Sequence, residues 1–157
     1  MLNLTFRSPV GWLTIQQTGN AITKIWWGRG DTNQETPLLT DARRQLLEYF
    51  GGKRKQFELP TAPLGTRFQI QVWHFIAQIP YGRTQTYGDL ARLIGTSPRP
   101  LGAACGANPI PLIIPCHRIL GRTGKLVGYS GGLGTETKRF LLSLEERTNS
   151  SFEHPNN

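Results

Sequence analysis

The sequence predicts a small α/β N-terminal lobe, made of an antiparallel sheet plus a helix, followed by a mainly α C-terminal domain with a helix-turn-helix. Three observations lead to this fold class. Apolar and polar residues alternate over about the first 30 positions, which is the period of half-buried strands. Apolar residues then recur at helical spacing in residues 38–50 and 67–79. Two further short helical stretches lie within residues 84–107, joined by a tight turn that contains glycine.

The chain length fits one ordinary domain or two small ones that share an interface, since it has 157 residues. We predict an N-terminal lobe over residues 1–60, a C-terminal domain over residues 61–147 and a polar tail over residues 148–157. Pro60 and Pro63 mark the connector between the two parts. We expect the tail to be disordered.

The N-terminal lobe contains three predicted strands. They are an alternating run over residues 2–6, a run around Trp12 and a β-rich run over residues 22–27. Turn signals at residues 8–11 and 18–20 separate them, so the sheet should be antiparallel.

A single helix should complete this lobe. Thr36 followed by proline is a helix start, helical spacing continues to Phe50, and Gly51-Gly52 ends it. We identify no catalytic group in the lobe, and we interpret the adjacent Trp26 and Trp27 as packing residues rather than a ligand cage.

The C-terminal domain should begin with a helix capped by Thr66 that runs from Arg67 to Ile79. The helix-turn-helix follows, with Ser97 at the start of its second helix. Nearly all side chains of that helix are very small, as the sequence Gly102-Ala103-Ala104-Cys105-Gly106-Ala107 shows. Such a helix can enter a groove closely but has few groups that read base edges, so we predict DNA binding that is nearly independent of sequence.

The charge distribution points to a polyanionic partner. The formal net charge is +8, and between residues 70 and 108 the single acidic residue is Asp89, against Arg83, Arg92 and Arg99. Cationic side chains bind nucleic acid by displacing the counterions of its phosphates. We therefore expect the nucleic-acid face in this part of the chain.

The sequence favours a cytoplasmic protein without a membrane segment. It has two cysteines, Cys105 and Cys116, and hence no disulfide framework. No apolar run approaches the roughly 18 residues of a membrane span. The first residues lack a basic region followed by an apolar core, so we expect no secretory signal.

A candidate nucleophile follows the apolar run 112–114. We interpret this run as a short buried strand that ends at Pro115, directly before Cys116 and His117. A neighbouring histidine or arginine favours the thiolate form of a cysteine by lowering its pKa. For an isolated Cys-His pair, a small buried cysteine is the alternative interpretation.

Three segments together resemble the O6-alkylguanine-DNA alkyltransferases, also called methylated-DNA–protein-cysteine methyltransferases. The most specific is Asn-Pro-x-Pro-apolar-Pro-Cys-His-Arg at residues 108–118, which is that family's signature. The others are the helix start at residues 97–104 and the glycine-rich loop 128–133, with a helical pattern after it at residues 138–147. The resemblance runs from about Gly65 to Glu145, and more loosely back to the N-terminus.

This resemblance implies a DNA repair protein that rotates O6-alkylguanine out of duplex DNA. The alkyl group would pass irreversibly to Cys116, in a single-turnover, suicide reaction. The implied partner is double-stranded DNA carrying the lesion, bound by a monomer largely without regard to sequence; O4-alkylthymine as a substrate and cooperative assembly on DNA stay open.

No cofactor is expected, because the sequence has no phosphate loop, dinucleotide fingerprint or metal-ligand spacing. Some members of the family bind zinc through Cys and His in the N-terminal lobe. This chain has neither residue before His74, so we expect no metal.

The resemblance assigns catalytic roles to four residues. Cys116 is the nucleophile, His117 takes its proton through a water, and Glu145, in the family's Leu-Leu-x-x-Glu helix ending, orients His117. Asn108 braces the turn that carries the cysteine. From the residues alone, a helix-capping role for Asn108 and a solvated Glu145 remain alternatives.

Other residues match the family's base pocket and DNA face. The implied pocket residues are Tyr87, Pro111, Ile119, Tyr129 and Ser130. The implied DNA-binding residues are Arg99, Tyr87, Thr86, Gly102 and Ala103. In this pattern Arg99 fills the space left by the rotated base, and Tyr87 crowds the target phosphate. The chain departs from the family at Pro100, where a small residue is usual.

Three other functions fit these residues less well. A non-catalytic binder of alkylated bases, of the alkyltransferase-like type, would lack the cysteine that is present here. A Cys-His hydrolase would need an oxyanion hole and would leave the basic charge unexplained. A helix-turn-helix regulator would need a second helix that reads base sequence.

Overall fold

The structure, a computed structural model, describes residues 1–126, 128–129 and 131–153. The N-terminal lobe is an antiparallel sheet in the order β1-β2-β3 with one helix against it. Its elements are β1 (Leu2–Ser8), β2 (Gly11–Thr18), β3 (Ala21–Trp27) and α1 (Pro37–Phe50). This confirms the α/β architecture predicted for this part of the chain.

The predicted start of α1 is also confirmed, because the Thr36 hydroxyl accepts a hydrogen bond from the Leu39 amide at 3.0 Å. Alternate residues of the sheet face α1 and form the buried core of the lobe. They include Leu4, Leu13, Ile15 and Ile25 from the sheet and Leu39, Ala42 and Leu46 from the helix. Trp12 lies on the outer face, where the Arg29 guanidinium stacks 4.1 Å from its ring centroid.

The C-terminal domain is mainly helical, as predicted. Its helices are α2 (Arg67–Ala77), α3 (Tyr87–Ile94), α4 (Pro98–Gly106) and α5 (Thr135–Glu153), with two short 3-10 turns at Cys116–Arg118 and Arg122–Gly124. Strands β4 (Gln85–Thr86) and β5 (Ile119–Leu120) pair in parallel. The sequence did not predict this pair, because two-residue strands leave no detectable period. None of the helices in the described ranges combines the length and apolar character required to cross a bilayer.

Helices α3 and α4 form the predicted helix-turn-helix. Gly95 ends α3 with φ of 88°, a left-handed conformation that suits glycine. Helix α4 begins at Pro98 and contains Pro100 in its first turn, where a missing amide donor costs no helical hydrogen bond. Trp73 of α2 donates from Nε1 to the Ala104 carbonyl at 2.9 Å and so fixes α4 against the domain core.

The segment before Cys116 is a tight turn, so the prediction of a buried strand over residues 112–114 is wrong. The Ile114 amide donates to the Ile110 carbonyl at 2.9 Å, and Leu112 has φ of 76°. Proline on both sides, at 111 and 115, removes the amide donors that a strand would use for pairing.

The end of the chain also differs from expectation. Helix α5 continues to Glu153, so residues 148–153 are not a disordered tail. Thr148 hydrogen-bonds the Tyr81 hydroxyl, and Asn149 accepts a hydrogen bond from Lys55 at 3.0 Å. These contacts tie the last turns of α5 to the rest of the protein; residues 154–157 lie outside the described residues.

Candidate active site

The Cys116 thiol lies at the start of a 3-10 turn directly after Pro115. The Cys116 amide donates to the Ile114 carbonyl at 2.8 Å, and the Arg118 amide donates to the Pro115 carbonyl at 2.9 Å. These bonds fix the backbone on both sides of the thiol. Cys116 is half-buried, whereas His117 and Arg118 point into the protein interior.

Asn108 braces this turn from the end of α4. Its side-chain amide donates to the Ile114 carbonyl at 2.9 Å and to the Cys116 Sγ at 3.3 Å, while its oxygen accepts from the Ile110 amide at 3.0 Å. The asparagine therefore connects the turn to the thiol itself, and the helix-capping alternative does not describe its side chain.

Glu145 is the centre of a buried network, and the solvated alternative is wrong because 1% of its surface is exposed. Its Oε2 lies 2.6 Å from His117 Nε2 and accepts from the Tyr49 hydroxyl at 2.6 Å and from Arg118 Nη2 at 3.1 Å. Its Oε1 accepts from Arg118 Nε at 2.8 Å and from the Gly82 amide at 3.1 Å. Burial alone would raise the pKa of Glu145, but His117 and Arg118 outweigh it and lower the pKa to about 2.

The network fixes which nitrogen of His117 can accept a proton. Glu145 is ionised, so the 2.6 Å contact assigns a hydrogen to Nε2 and leaves the lone pair of a neutral ring on Nδ1. Within the described residues, Nδ1 has no hydrogen-bond partner. Burial lowers the pKa of His117, against the raising effect of Glu145, and keeps the ring neutral.

The surroundings of Cys116 favour its thiol form, in contrast to the expectation that its neighbours favour the thiolate. Burial raises its pKa, and the hydrogen bond from Asn108 and the charge of Lys138 only partly offset this. Arg118 does not provide the expected stabilisation, because its guanidinium is bound to Glu145. The thiol therefore needs a base.

Three residues have roles in this site that the sequence did not indicate. Lys138 of α5 is fully buried, and its charge acts on Cys116. Tyr49 comes from α1, and Arg118 holds Glu145 through two nitrogens. The sequence signal for Lys138 is its position on the apolar side of a helical pattern. No sequence signal indicates that Tyr49 contacts Glu145, which lies far along the chain.

Two cavities flank the Cys116 side chain. The first, about 320 Å³, opens beside α4 and is lined by Tyr87, Gly102, Cys105, Gly106, Cys116, Gly128 and Tyr129. The second, about 290 Å³, opens towards the N-terminal lobe, and its lining includes Trp26, Pro111, Cys116 and Tyr129. The Tyr129 hydroxyl is buried and has no hydrogen-bond partner in the part of the chain that the structure describes.

The structure brings together most, but not all, of the predicted pocket. Tyr87, Pro111 and Tyr129 line the cavities beside Cys116. Ile119 does not, because its side chain is 0% exposed in the domain core and its backbone pairs with Gln85. Ser130 lies outside the described residues.

The N-terminal lobe forms one wall of the site, which was not expected from its sequence. The Ile25 amide at the edge of β3 donates to the Pro109 carbonyl at 2.9 Å, and Trp27 packs edge-on against Tyr129 with centroids 5.9 Å apart. Gly131 permits this approach, since a Cβ there would lie 2.4 Å from the Trp27 ring. Trp27 is thus a packing residue, as predicted, but it packs against the active-site loop.

The predicted DNA-binding residues lie along α3 and α4. A groove of about 810 Å³ passes over Thr86, Tyr87, Gly102 and Arg122, among others. Arg99 is exposed in the first turn of α4, next to Pro98 of the groove. Ala103 is exposed, and a Cβ added at Gly102 would meet no atom within 4 Å, so this face of α4 is open to a partner.

No three His, Cys, Asp or Glu side chains in the described part of the chain group together as a metal site. The ionisable residues of the site are instead paired with one another, as Glu145 is with His117 and Arg118.

Two domains of one known family together match nearly the whole chain. Residues 1–63 match the ribonuclease-like domain of 6-O-methylguanine DNA methyltransferase, and residues 67–147 match the DNA binding domain of the same family.

Similar proteins carry related names. The chain is 38% identical to the constitutive methylated-DNA–protein-cysteine methyltransferase of Bacillus subtilis, over 90% of this chain and 93% of that protein. It is 40% identical to the methyltransferase of that name from Methanosarcina acetivorans, over 89% and 95%. The solved structure of Mycobacterium tuberculosis OGT in complex with DNA superposes with a TM-score of 0.85 at 38% identity, covering 94% of each chain. The chain therefore belongs to the methylated-DNA–protein-cysteine methyltransferase family.

Proposed function

We propose that this protein repairs O6-alkylguanine in duplex DNA by transferring the alkyl group to its own Cys116, once and irreversibly. The observation that carries the proposal is a thiol between two cavities, next to a histidine held by a buried carboxylate. A pKa raised by burial makes the thiol depend on that histidine, and the Glu145 contact leaves the Nδ1 lone pair of His117 available.

The reaction begins with removal of the thiol proton. A water relays it from Cys116 Sγ to His117 Nδ1, and Glu145 stabilises the imidazolium through Nε2. The thiolate then attacks the alkyl carbon, so that the S–C bond forms as the bond between that carbon and guanine O6 breaks. The guanine leaves as an anion and takes up one proton to become ordinary guanine.

The reaction ends with the thioether. A thioether is a poor leaving group under these conditions, and the second cysteine offers no route to turnover. Cys105 lines the same cavities, but burial raises its pKa to about 12, so it stays a thiol at neutral pH. Each molecule would accept one alkyl group.

DNA handling is proposed for α3 and α4. The target base would rotate out of the stack and enter the cavity between α4 and Tyr129. Arg99 would fill the space that it leaves, and Tyr87 would crowd its phosphate. The small residues of α4 would let the helix enter the groove without reading sequence. The solved DNA complex of the Mycobacterium tuberculosis relative supports DNA as the partner.

A stoichiometric titration tests the proposed function. A limiting amount of protein is mixed with excess duplex that carries one O6-methylguanine, and repaired DNA is measured over time. We expect repair to stop at one lesion per protein molecule. Continued repair beyond that ratio would show turnover, as a Cys-His hydrolase would give, and lesion binding without repair would show a non-catalytic binder.

A further inference from the structure

The proposed reaction assigns no role to the hydrogen bond that the N-terminal lobe donates to Glu145. Tyr49 lies near the end of α1, is 0% exposed and donates its hydroxyl hydrogen to Glu145 Oε2 at 2.6 Å. The same oxygen contacts His117 Nε2, and the Tyr49 oxygen lies 3.4 Å from that nitrogen. The tyrosine is thus in contact with both partners of the proton-accepting pair.

We propose that Tyr49 is a positioning residue for alkyl transfer, which sets the orientation and the proton affinity of His117 through Glu145. This inference rests on the proposed function, because it assigns Tyr49 a part in activating Cys116. It also gives the N-terminal lobe a role in the chemistry.

The direction of the effect follows from competition for one oxygen. Each hydrogen bond donated to Oε2 draws charge from it and weakens its attraction for a protonated imidazole. Without the Tyr49 hydroxyl, Oε2 would hold His117 more strongly in its charged form. Tyr49 therefore favours the neutral ring, in which Nδ1 can accept the thiol proton.

Tyr49 acts as a donor throughout the working pH range. Burial and the neighbouring Glu145 carboxylate raise its pKa well above the ordinary value of 10.0. The titratable and charged groups that face Tyr49 or His117 are Glu145 and Lys138 of α5, Arg118 of the 3-10 turn, and Tyr81. Among these, Arg118 and Lys138 also oppose a charged His117, so Tyr49 acts in the same direction as both cations.

The packing around Tyr49 explains how the hydroxyl is held in place. Its ring packs edge-on against Phe50 and Tyr81, with centroids 5.5 Å and 6.1 Å away, and tilted against Phe57 at 5.5 Å. Because these contacts use the ring and not the hydroxyl, Tyr49→Phe should keep the packing and remove one hydrogen bond.

Tyr81→Phe is the matched control. Tyr81 is also buried and packs against Tyr49, but its hydroxyl bonds Thr148 and not Glu145. Both variants lose one phenolic hydroxyl from the same aromatic cluster, so any difference between them reports the contact with Glu145.

The first measurement is the pH dependence of alkyl transfer from free O6-benzylguanine. Transfer is monitored as the gain in intact mass of the protein. A free base requires no DNA binding, so only the chemistry is measured. In Tyr49→Phe we expect the pH at which the rate is half-maximal to rise by about 0.5 to 1 unit, and in Tyr81→Phe we expect no shift. An equal loss of rate at every pH would mean that Tyr49 is merely structural and would overturn the inference.

The second measurement does not depend on transfer and so separates this inference from the proposed function. The chain has three histidines, and the ring nitrogens of His117 can be titrated by NMR with the exposed His74 as an internal reference. A higher pKa of His117 in Tyr49→Phe, but not in Tyr81→Phe, supports the role of Tyr49 even if Cys116 proves not to be alkylated. An unchanged or lower pKa, or the same rise in both variants, contradicts it.

A third observation covers the case in which Tyr49→Phe does not fold. In the unaltered protein, a hydroxyl proton donated to a buried carboxylate at 2.6 Å should exchange slowly and resonate far downfield, with a nuclear Overhauser effect to the His117 ring. A Tyr49 hydroxyl proton that exchanges too rapidly to observe would contradict the inference.

Discussion

The thiol of Cys116 is held by residues that act on it in opposite directions. Burial disfavours its charged form, whereas the Asn108 amide at 3.3 Å and the charge of Lys138 favour it. The balance leaves a protonated thiol at rest. A nucleophile that stays protonated until a base and an alkylated substrate are both in place would suit the single-turnover reaction proposed above.

Cys116→Ser should abolish alkyl transfer and retain binding to alkylated duplex DNA. The serine hydroxyl is far harder to deprotonate than the thiol, while the cavities and the DNA face keep their shape. Methyl transfer to protein and equilibrium binding are measured on the same oligonucleotide. Cys105→Ala is the control, because Cys105 lines the same cavities as Cys116. This variant should retain alkyl transfer. Transfer by Cys116→Ser at the rate of the unaltered protein would exclude Cys116 as the nucleophile.

His117→Ala should slow methyl transfer by about a hundredfold or more at neutral pH, the usual size of general-base catalysis. The remaining rate should increase with pH well above neutrality, because a thiol whose pKa is raised by burial must then ionise without a base. DNA binding should change little. Single-turnover rates from pH 6 to 10 check this, and identical profiles for both proteins would exclude the relay.

The family resemblance placed Cys116, His117, Asn108 and Glu145 in one site, and it implied the contact of Glu145 with His117 and the bracing of the turn by Asn108 that the structure contains. The family signature contains the first three, which lie within residues 108–117, and the Leu-Leu-x-x-Glu ending contains the fourth. Neither pattern indicates the hydrogen bond from Tyr49 to Glu145, because that bond joins residues of two lobes that are far apart along the chain. The expected effect of Arg118 in favouring a thiolate is missing, because proximity in sequence did not show that Glu145 binds that guanidinium.

At the scale of elements, α4 combines two features that suit the proposed binding of DNA without base reading. Its buried side holds Leu101 and Ala104, and its open side carries Gly102 and Ala103. The exposed Arg99 at its first turn is the longest side chain of the helix. Helix α4 can therefore pack against the domain and still enter a groove closely.

Arg99→Ala should separate extrusion of the base from the chemistry. Repair of duplex DNA should slow strongly, since unstacking costs a few kcal/mol that an inserted side chain partly offsets. Single-stranded substrates should be affected less, and free O6-benzylguanine hardly at all. Equal losses on duplex and free base would mean that Arg99 supports the pocket instead.

Arg92→Ala provides the comparison for Arg99. Arg92 lies on α3 and lines the same groove, where it pairs with Asp89, whereas Arg99 lies at the start of α4. Its loss should weaken binding to all DNA and reduce the salt dependence by about one phosphate contact, without a selective effect on duplex repair.

The helices and the three-stranded sheet could be predicted because each spans several periods of its apolar pattern. Thr36 and Thr66 added side-chain signals at two helix starts, and both hydroxyls cap as expected. The parallel pair of β4 and β5 and the turn before Cys116 could not be predicted in this way. The first depends on contacts remote in sequence, and the second depends on Leu112 in a left-handed conformation that leucine rarely adopts.

At the scale of the whole molecule, the active site lies where the two lobes meet. Tyr49 and Trp27 from the N-terminal lobe contact Glu145 and the active-site loop, and the buried carboxylate connects α1, the 3-10 turn and α5. Stability and activity should therefore depend on the same network.

Acid should destabilise the fold through Glu145. The pKa of Glu145 in the folded protein is about 2, below the ordinary 4.5, so the unfolded chain binds the proton more tightly. The ionised carboxylate therefore stabilises the fold above about pH 4.5, and this stabilisation is lost as the pH falls towards 2. The shift corresponds to about 3 kcal/mol at most. Between pH 7 and pH 3, the free energy of unfolding in urea should decline less for Glu145→Gln than for Glu146→Gln, a variant of the exposed neighbour. Equal declines would contradict the assignment of this acid sensitivity to Glu145.

Alkylation of Cys116 itself is the central claim, and mass spectrometry measures it directly. The protein is incubated with duplex DNA that carries one O6-methylguanine, its intact mass is recorded, and the modified peptide is sequenced. We predict a gain of one methyl group per molecule, located on Cys116, together with unmodified guanine in the DNA. An unchanged protein mass alongside repaired DNA, or a methyl group on Cys105 or another residue, would contradict this account.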